Sequence, residues 1–64
     1  MDKQHESDLL TTKEAAKYLR LEKVTLDIWR RTGKVLIPYC KIGRCIRYRK
    51  QSLDDFLDAS EIKN

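Results

Sequence analysis

Several things are scarce in this 64-residue chain, and each scarcity removes a class of function. There are two cysteines, Cys40 and Cys45, and a single histidine, His5. Two thiols form at most one bridge, so a disulfide-built secreted mini-protein is a poor fit. With one histidine at these spacings they make no zinc site, and His5, in the polar leading segment, is read as inert. Glycine occurs twice and proline once, which leaves no glycine-rich phosphate loop and no flexible linker. No apolar run approaches the ~20 residues that span a bilayer, and residues 1–8 are polar without the apolar core of a signal peptide. The sequence has no nucleophile–base pair and no paired-carboxylate site. The expectation is a cytoplasmic chain with reduced thiols, no cofactor, no membrane or small-molecule partner, and no enzymatic activity.

Charge is what the chain has in plenty. The formal net charge is +4, with a pI of about 9.3. Its distribution says more than its sum. Lys41, Arg44, Arg47, Arg49 and Lys50 fall within ten residues that contain no acid. Asp54, Asp55, Asp58 and Glu61 then make the C-terminal stretch acidic, and Asp2, Glu6 and Asp8 do the same near the start. Segregation of this kind gives one face to an anionic partner and turns another away.

The pattern of elements is mainly helical. Residues 1–8 read as a disordered tail, 9–59 as the one domain a chain of this size can hold, and 60–64 as a frayed end. Thr11 and Glu14 have capping-box spacing and open a helix that runs to about Leu19, with Ala15, Ala16 and Leu19 on its inner face. After a turn at Arg20-Leu21-Glu22, a second helix spans about Lys23 to Thr32, stopped by Gly33. Leu26 and Trp29 are its core anchors. Val24, Asp27, Ile28 and Arg31 fall on the opposite side, and Asp27 is placed to pair with Arg30 and Arg31. Two short strands follow, Tyr39–Ile42 and Ile46–Arg49. A three-residue loop, Gly43-Arg44-Cys45, would pair Ile42 with Ile46 and Cys40 with Tyr48. Those four side chains would then share the inner face, with Lys41, Arg47 and Arg49 outside. A last helix opens at Ser52-Leu53, ends near Ala59, and buries Leu53, Phe56 and Leu57. Asp54, Asp55 and Asp58 then face solvent, with acids in the first turn to suit the helix dipole.

Two short helices joined by a three-residue turn, the second basic, make a helix-turn-helix pattern, and a helix of this length fits the major groove. A hairpin carrying Lys41, Arg44, Arg47 and Arg49 makes a wing able to follow phosphates or enter the minor groove. The candidate DNA contacts are therefore Lys23, Thr25, Ile28, Arg30 and Arg31 from the helix and Lys41, Arg44, Arg47 and Arg49 from the wing. Thr12 and Lys13 stand at the start of the first helix, where phosphate binds readily. Plainer readings stand beside these. The helix could be an ordinary amphipathic one with a solvated charged face, and the wing's charge could protect an edge strand, although mixed signs would serve that purpose equally. An inward Tyr48 leaves no aromatic platform for RNA.

The motifs in order resemble a known group. Leu9-Leu10-Thr11-Thr12-Lys13-Glu14-Ala15-Ala16-Lys17-Tyr18-Leu19 resembles the opening "LLTxxEAAxYL" of excisionase-type helix-turn-helix domains, small relatives of the MerR-family DNA-binding head. Thr25–Arg30 and Gly33-Lys34-Val35 are similar to the recognition helix and its end. Ile42-Gly43-Arg44 with Ile46-Arg47-Tyr48 resembles the wing, and Ser52–Leu57 the closing "sDLexWL" helix. The resemblance implies a mainly α winged helix-turn-helix that binds double-stranded DNA. Its members serve as recombination directionality factors or as small transcription regulators. It also implies an integrase or recombinase, or neighbouring copies on repeated sites, as further partners. Arg20 replaces the group's turn glycine, and Glu22 its usual Ser/Thr cap. A contrasting reading is a protein-interaction adaptor that uses the acidic last helix and has no DNA affinity.

Overall fold

Two of the three helices start directly from a strand of one small sheet, and this sets the architecture. In the computed structural model, which describes residues 8–62, the order is β1 (Leu9–Thr11), α1 (Thr12–Leu19), α2 (Lys23–Thr32), β2 (Cys40–Ile42), β3 (Cys45–Arg49) and α3 (Lys50–Ser60). The tail expected at residues 1–8 lies outside the described residues except for Asp8, as do residues 63–64 of the expected frayed end.

The capping box forms in full. The Glu14 amide donates to Thr11 Oγ1 at 3.1 Å, and the Thr11 amide donates to Glu14 Oε1 at 2.9 Å. Two of the helix's orphan donors are satisfied this way. At the other end of α1, Leu21 N–H reaches Ala16 O at 2.8 Å and Arg20 N–H reaches Lys17 O at 3.1 Å. This is the Schellman arrangement, which requires a left-handed residue at its hinge. Arg20 supplies it at φ 60°, ψ 42°, the one non-glycine positive φ among the described residues. An L-residue there costs about 1–2 kcal/mol relative to glycine. α2 starts at Glu22 without a side-chain cap and ends at Gly33, φ 72°, whose N–H meets Trp29 O at 2.8 Å.

The sheet differs from expectation in two ways. First, Leu9–Thr11 is a strand, giving the order β1-β3-β2 with both pairs antiparallel. Second, the hairpin turns on two residues. Ile42 stands opposite Cys45, Lys41 opposite Ile46, and Cys40 opposite Arg47. Gly43 takes φ 62° while Arg44 keeps a negative φ, the glycine-first pattern of a II′ turn, whose twist matches the strands. The phase of β3 is as read from sequence: Ile46 and Tyr48 face the helices, joined there by Leu10 of β1. The phase of β2 is reversed. Cys40 and Ile42 share the outer face with Arg47 and Arg49, Lys41 lies on the face of Ile46, and Cys45 belongs to β3 rather than to the turn. Both cysteines are free thiols. β2 is a three-residue edge strand with two of its residues exposed, so turn chemistry decided its register against a weak apolar preference.

The core is Ala15, Ala16, Leu26, Ile37, Tyr48 and Leu53, ringed by Leu10, Leu19, Trp29, Val35, Ile46 and Phe56. The two alanines let α2 approach α1 closely. Trp29 and Phe56 meet edge to face at 6.1 Å, tying α2 to α3. Ile37, expected only as part of a connector, reaches back into the core.

The last helix also corrects the sequence reading. It begins at Lys50, so its first turn contains no acid. Leu57 is exposed, and Asp54 is half-buried rather than facing solvent. Asp54 accepts the Tyr18 hydroxyl, linking α3 to α1, and the Lys50 ammonium lies 5.9 Å from the Tyr18 ring centre. No helix of the described residues is long and apolar enough to cross a membrane.

Candidate nucleic-acid interface

α2 presents an outward face of Lys23, Val24, Ile28 and Arg31, all exposed, with Thr25, Asp27 and Arg30 half-buried beside them. Val24 and Ile28 lie one turn apart and are 57% and 40% exposed, an apolar pair on this outward face. Asp27 is the organising residue. It accepts from Lys23 Nζ at 2.9 Å and from Arg30 Nη1 at 3.2 Å. The expected pairing with Arg30 is present. The second partner is Lys23, one turn back, in place of Arg31. Lys23 and Arg31 both stand four residues from Asp27, so either can reach it across one turn, and Arg31 is exposed. The bond from Lys23 is the main cause holding the Asp27 carboxyl below the ordinary aspartate range, with Arg30 assisting against partial desolvation.

Arg30 is half-buried and bonded to Asp27. Burial is the largest single influence on its guanidinium and pushes its pKa down. The Tyr48 hydroxyl and Asp27 outweigh that together, so the net shift is upward. Arg30 also lines a small depression with Trp29, Val35, Ile37, Tyr39 and Tyr48. The rings of Tyr39 and Tyr48 lie 6.0 Å apart there. Arg30 and Tyr48 thus line one depression between α2 and the wing, while Arg31 is open to solvent.

The wing's charges are divided by the register. Arg44 is at the exposed tip, and Arg49 is exposed on the outer face. Arg47 is half-buried at the middle of the central strand, between Thr11 and Cys40, and its Nη1 donates to the Ile46 carbonyl at 2.8 Å. Lys41 is exposed on the opposite face of the sheet from Arg47 and Arg49, which corrects the expected grouping of the three. Thr12 is buried, 8% exposed, so its side chain is not presented to a phosphate, whereas the neighbouring Lys13 is exposed.

A second basic surface emerges only in the fold. Lys13, Lys17, Arg20 and Lys23 line one open groove at the elbow between α1 and α2, together with Ala16, Leu21 and Glu22. Lys17 and Arg20 were not among the candidate contacts. The signal was available in the spacing of 13, 17 and 20, which is i, i+4, i+7 on one helical stripe. Among the described residues no cluster of histidine, cysteine and carboxylate is placed to hold a metal.

A family model described as a helix-turn-helix domain matches residues 9–60, the span from the first residue of β1 to the last of α3. No curated protein matches the chain.

Proposed function

The chain belongs to this helix-turn-helix family, whose excisionase-like members bind DNA, and on that premise we propose that it reads a specific double-stranded site. α2 enters the major groove, and the basic wing lies along the flanking backbone or minor groove. The reading rests chiefly on one observation: a recognition-type helix with an exposed face of Lys23, Val24, Ile28 and Arg31 stands beside a hairpin tipped with Arg44, with Arg30 and Tyr48 lining the depression between them. Lys23, Thr25, Ile28 and Arg31 make or flank base contacts. Arg30, bonded to Asp27 and beside the wing, contacts the duplex from that position. Arg44, Arg47, Arg49 and Lys41 meet phosphates, as does Lys13. Thr12, being buried, is left out of this interface.

The biological role that accompanies this binding is excision, as a recombination directionality factor, or regulation of transcription at a small operator. An integrase or neighbouring copies on repeated sites are the further partners of the first role. No catalytic step is assigned to any residue. Selection from a randomised duplex library followed by sequencing tests the reading. Enrichment of one short motif supports it, and a directly repeated motif favours the excision role. Retention without any enriched motif would reduce the protein to a nonspecific binder. An acidic-helix adaptor without DNA affinity is the outcome if nothing is retained at low salt.

A further inference from the structure

We propose that the elbow between α1 and α2 is a separate backbone-binding subsite, with Arg20 at its centre and Lys13 and Lys17 beside it. It takes the phosphodiester strand beside the groove that α2 enters, and so rests on the duplex-binding reading.

Three observations carry this assignment. Four cations line one open groove against a single acid, Glu22. Among the described residues Lys23 pairs with Asp27, and no ion pair joins Lys13, Lys17 or Arg20 to another described residue. Clustered like charges repel, and a polyanion relieves that repulsion.

The second observation is the backbone of Arg20. The Schellman bonds from Leu21 to Ala16 and from Arg20 to Lys17 need a left-handed hinge and nothing from its side chain. Glycine would satisfy the hinge without strain. Arginine keeps the strain and adds a long cation at the rim of the groove. A side chain held at the expense of stability at an exposed hinge marks a function other than folding.

The third is the start of α2. Glu22 caps this ten-residue helix without a side-chain hydrogen bond, and Glu22 and Lys23 both line the groove. A phosphate there meets both the cations and the positive end of the helix dipole. The exposed carboxylate of Glu22 is the one unfavourable charge, and removing it strengthens binding.

The test uses fluorescence anisotropy on a labelled random-sequence duplex over a range of salt, with thermal melts of each variant. Arg20→Gly is expected to melt higher than the wild type yet bind more weakly, by roughly 5- to 10-fold at 0.1 M salt, with the salt slope smaller by about 1. Arg20→Lys keeps the charge and is expected to keep the slope. Lys17→Gln, a surface change, is expected to lower the slope by about as much as Arg20→Gly, and Glu22→Gln to raise affinity. The loss would be uniform over duplex sequence, because phosphates carry no base identity. Wild-type binding with unchanged slopes in both Arg20→Gly and Lys17→Gln overturns the elbow subsite alone. Failure of the wild type to bind any duplex overturns the duplex reading, and the subsite with it.

Discussion

The carboxylate of Asp27 accepts a hydrogen bond from Arg30 at 3.2 Å, one turn along the recognition helix. The same carboxylate holds Lys23 at 2.9 Å. One acid thus orients two of the cations nearest the proposed base contacts. The pairing trades attraction for order: it reduces the positive field at the interface while limiting where the two side chains can reach. Asp27→Asn should raise affinity for random duplex several-fold and blunt the motif recovered by selection. Anisotropy on random and selected duplexes measures both effects. An unchanged ratio of specific to nonspecific affinity would remove Asp27 from recognition.

The depressed pKa of Asp27 also fixes the sign of a pH effect. Its folded-state pKa lies below the unfolded value near 4, so its contribution to stability is fully present above that value. The contribution is lost as pH falls through the folded pKa. Melts between about pH 5 and 2 should therefore show a smaller acid-induced loss in Asp27→Asn than in the wild type.

Tyr18 gives the opposite limb. Its hydroxyl donates to Asp54, and that hydrogen bond, with some desolvation and the nearby carboxylate charge, raises its pKa. The protonated form is the one that bonds. Stability from this link is present below the ordinary tyrosine pKa near 10 and disappears as pH rises through the raised value. Tyr18→Phe should melt slightly lower at neutral pH and lose less stability than the wild type above about pH 10.

The capping box at Thr11 is a local test of the fold. Thr11→Ala leaves the Glu14 amide without its partner and should cost about 1 kcal/mol. In a domain of this size that corresponds to a fall in Tm of about 4–8 °C, readable by circular dichroism.

Leu53 has no exposed surface and sits where α3 meets the sheet and α1. Leu53→Ala should cost about 2–5 kcal/mol. A small domain holds only about 0.05–0.15 kcal/mol per residue, so most of the stability would go with it. Denaturant unfolding should show loss of most or all of the cooperative transition at room temperature.

Helix placement was legible because the determinants are local. Thr11 with Glu14, Leu26 with Trp29, and Gly33 each carry their signal within one or two turns of chain. β1 was not legible. Three residues are too short for an alternating pattern, and Leu9–Thr11 becomes a strand only because β3 offers a free edge. The phase of β2 failed for a related reason. Facing Cys40 and Ile42 to the core suits their apolar side chains, but the strand is short and at the edge, and Gly43 selects the two-residue turn. Asp27 was read as a pairing residue from spacing alone, but spacing could not choose between Lys23 and Arg31. The depression shared by Arg30 and Tyr48 brings together residues eighteen apart, and the elbow groove combines one helix with the turn after it. Both depend on tertiary approach.

The most direct measurement is a salt titration of the wild-type protein on labelled duplex, followed by anisotropy. With about six phosphates neutralised, log K against log salt should fall with a slope near −5, and Arg44→Ala with Arg47→Ala should reduce its size by about 2. A slope near zero, or no binding at low salt, would contradict the account of α2 and the wing as a DNA-binding surface.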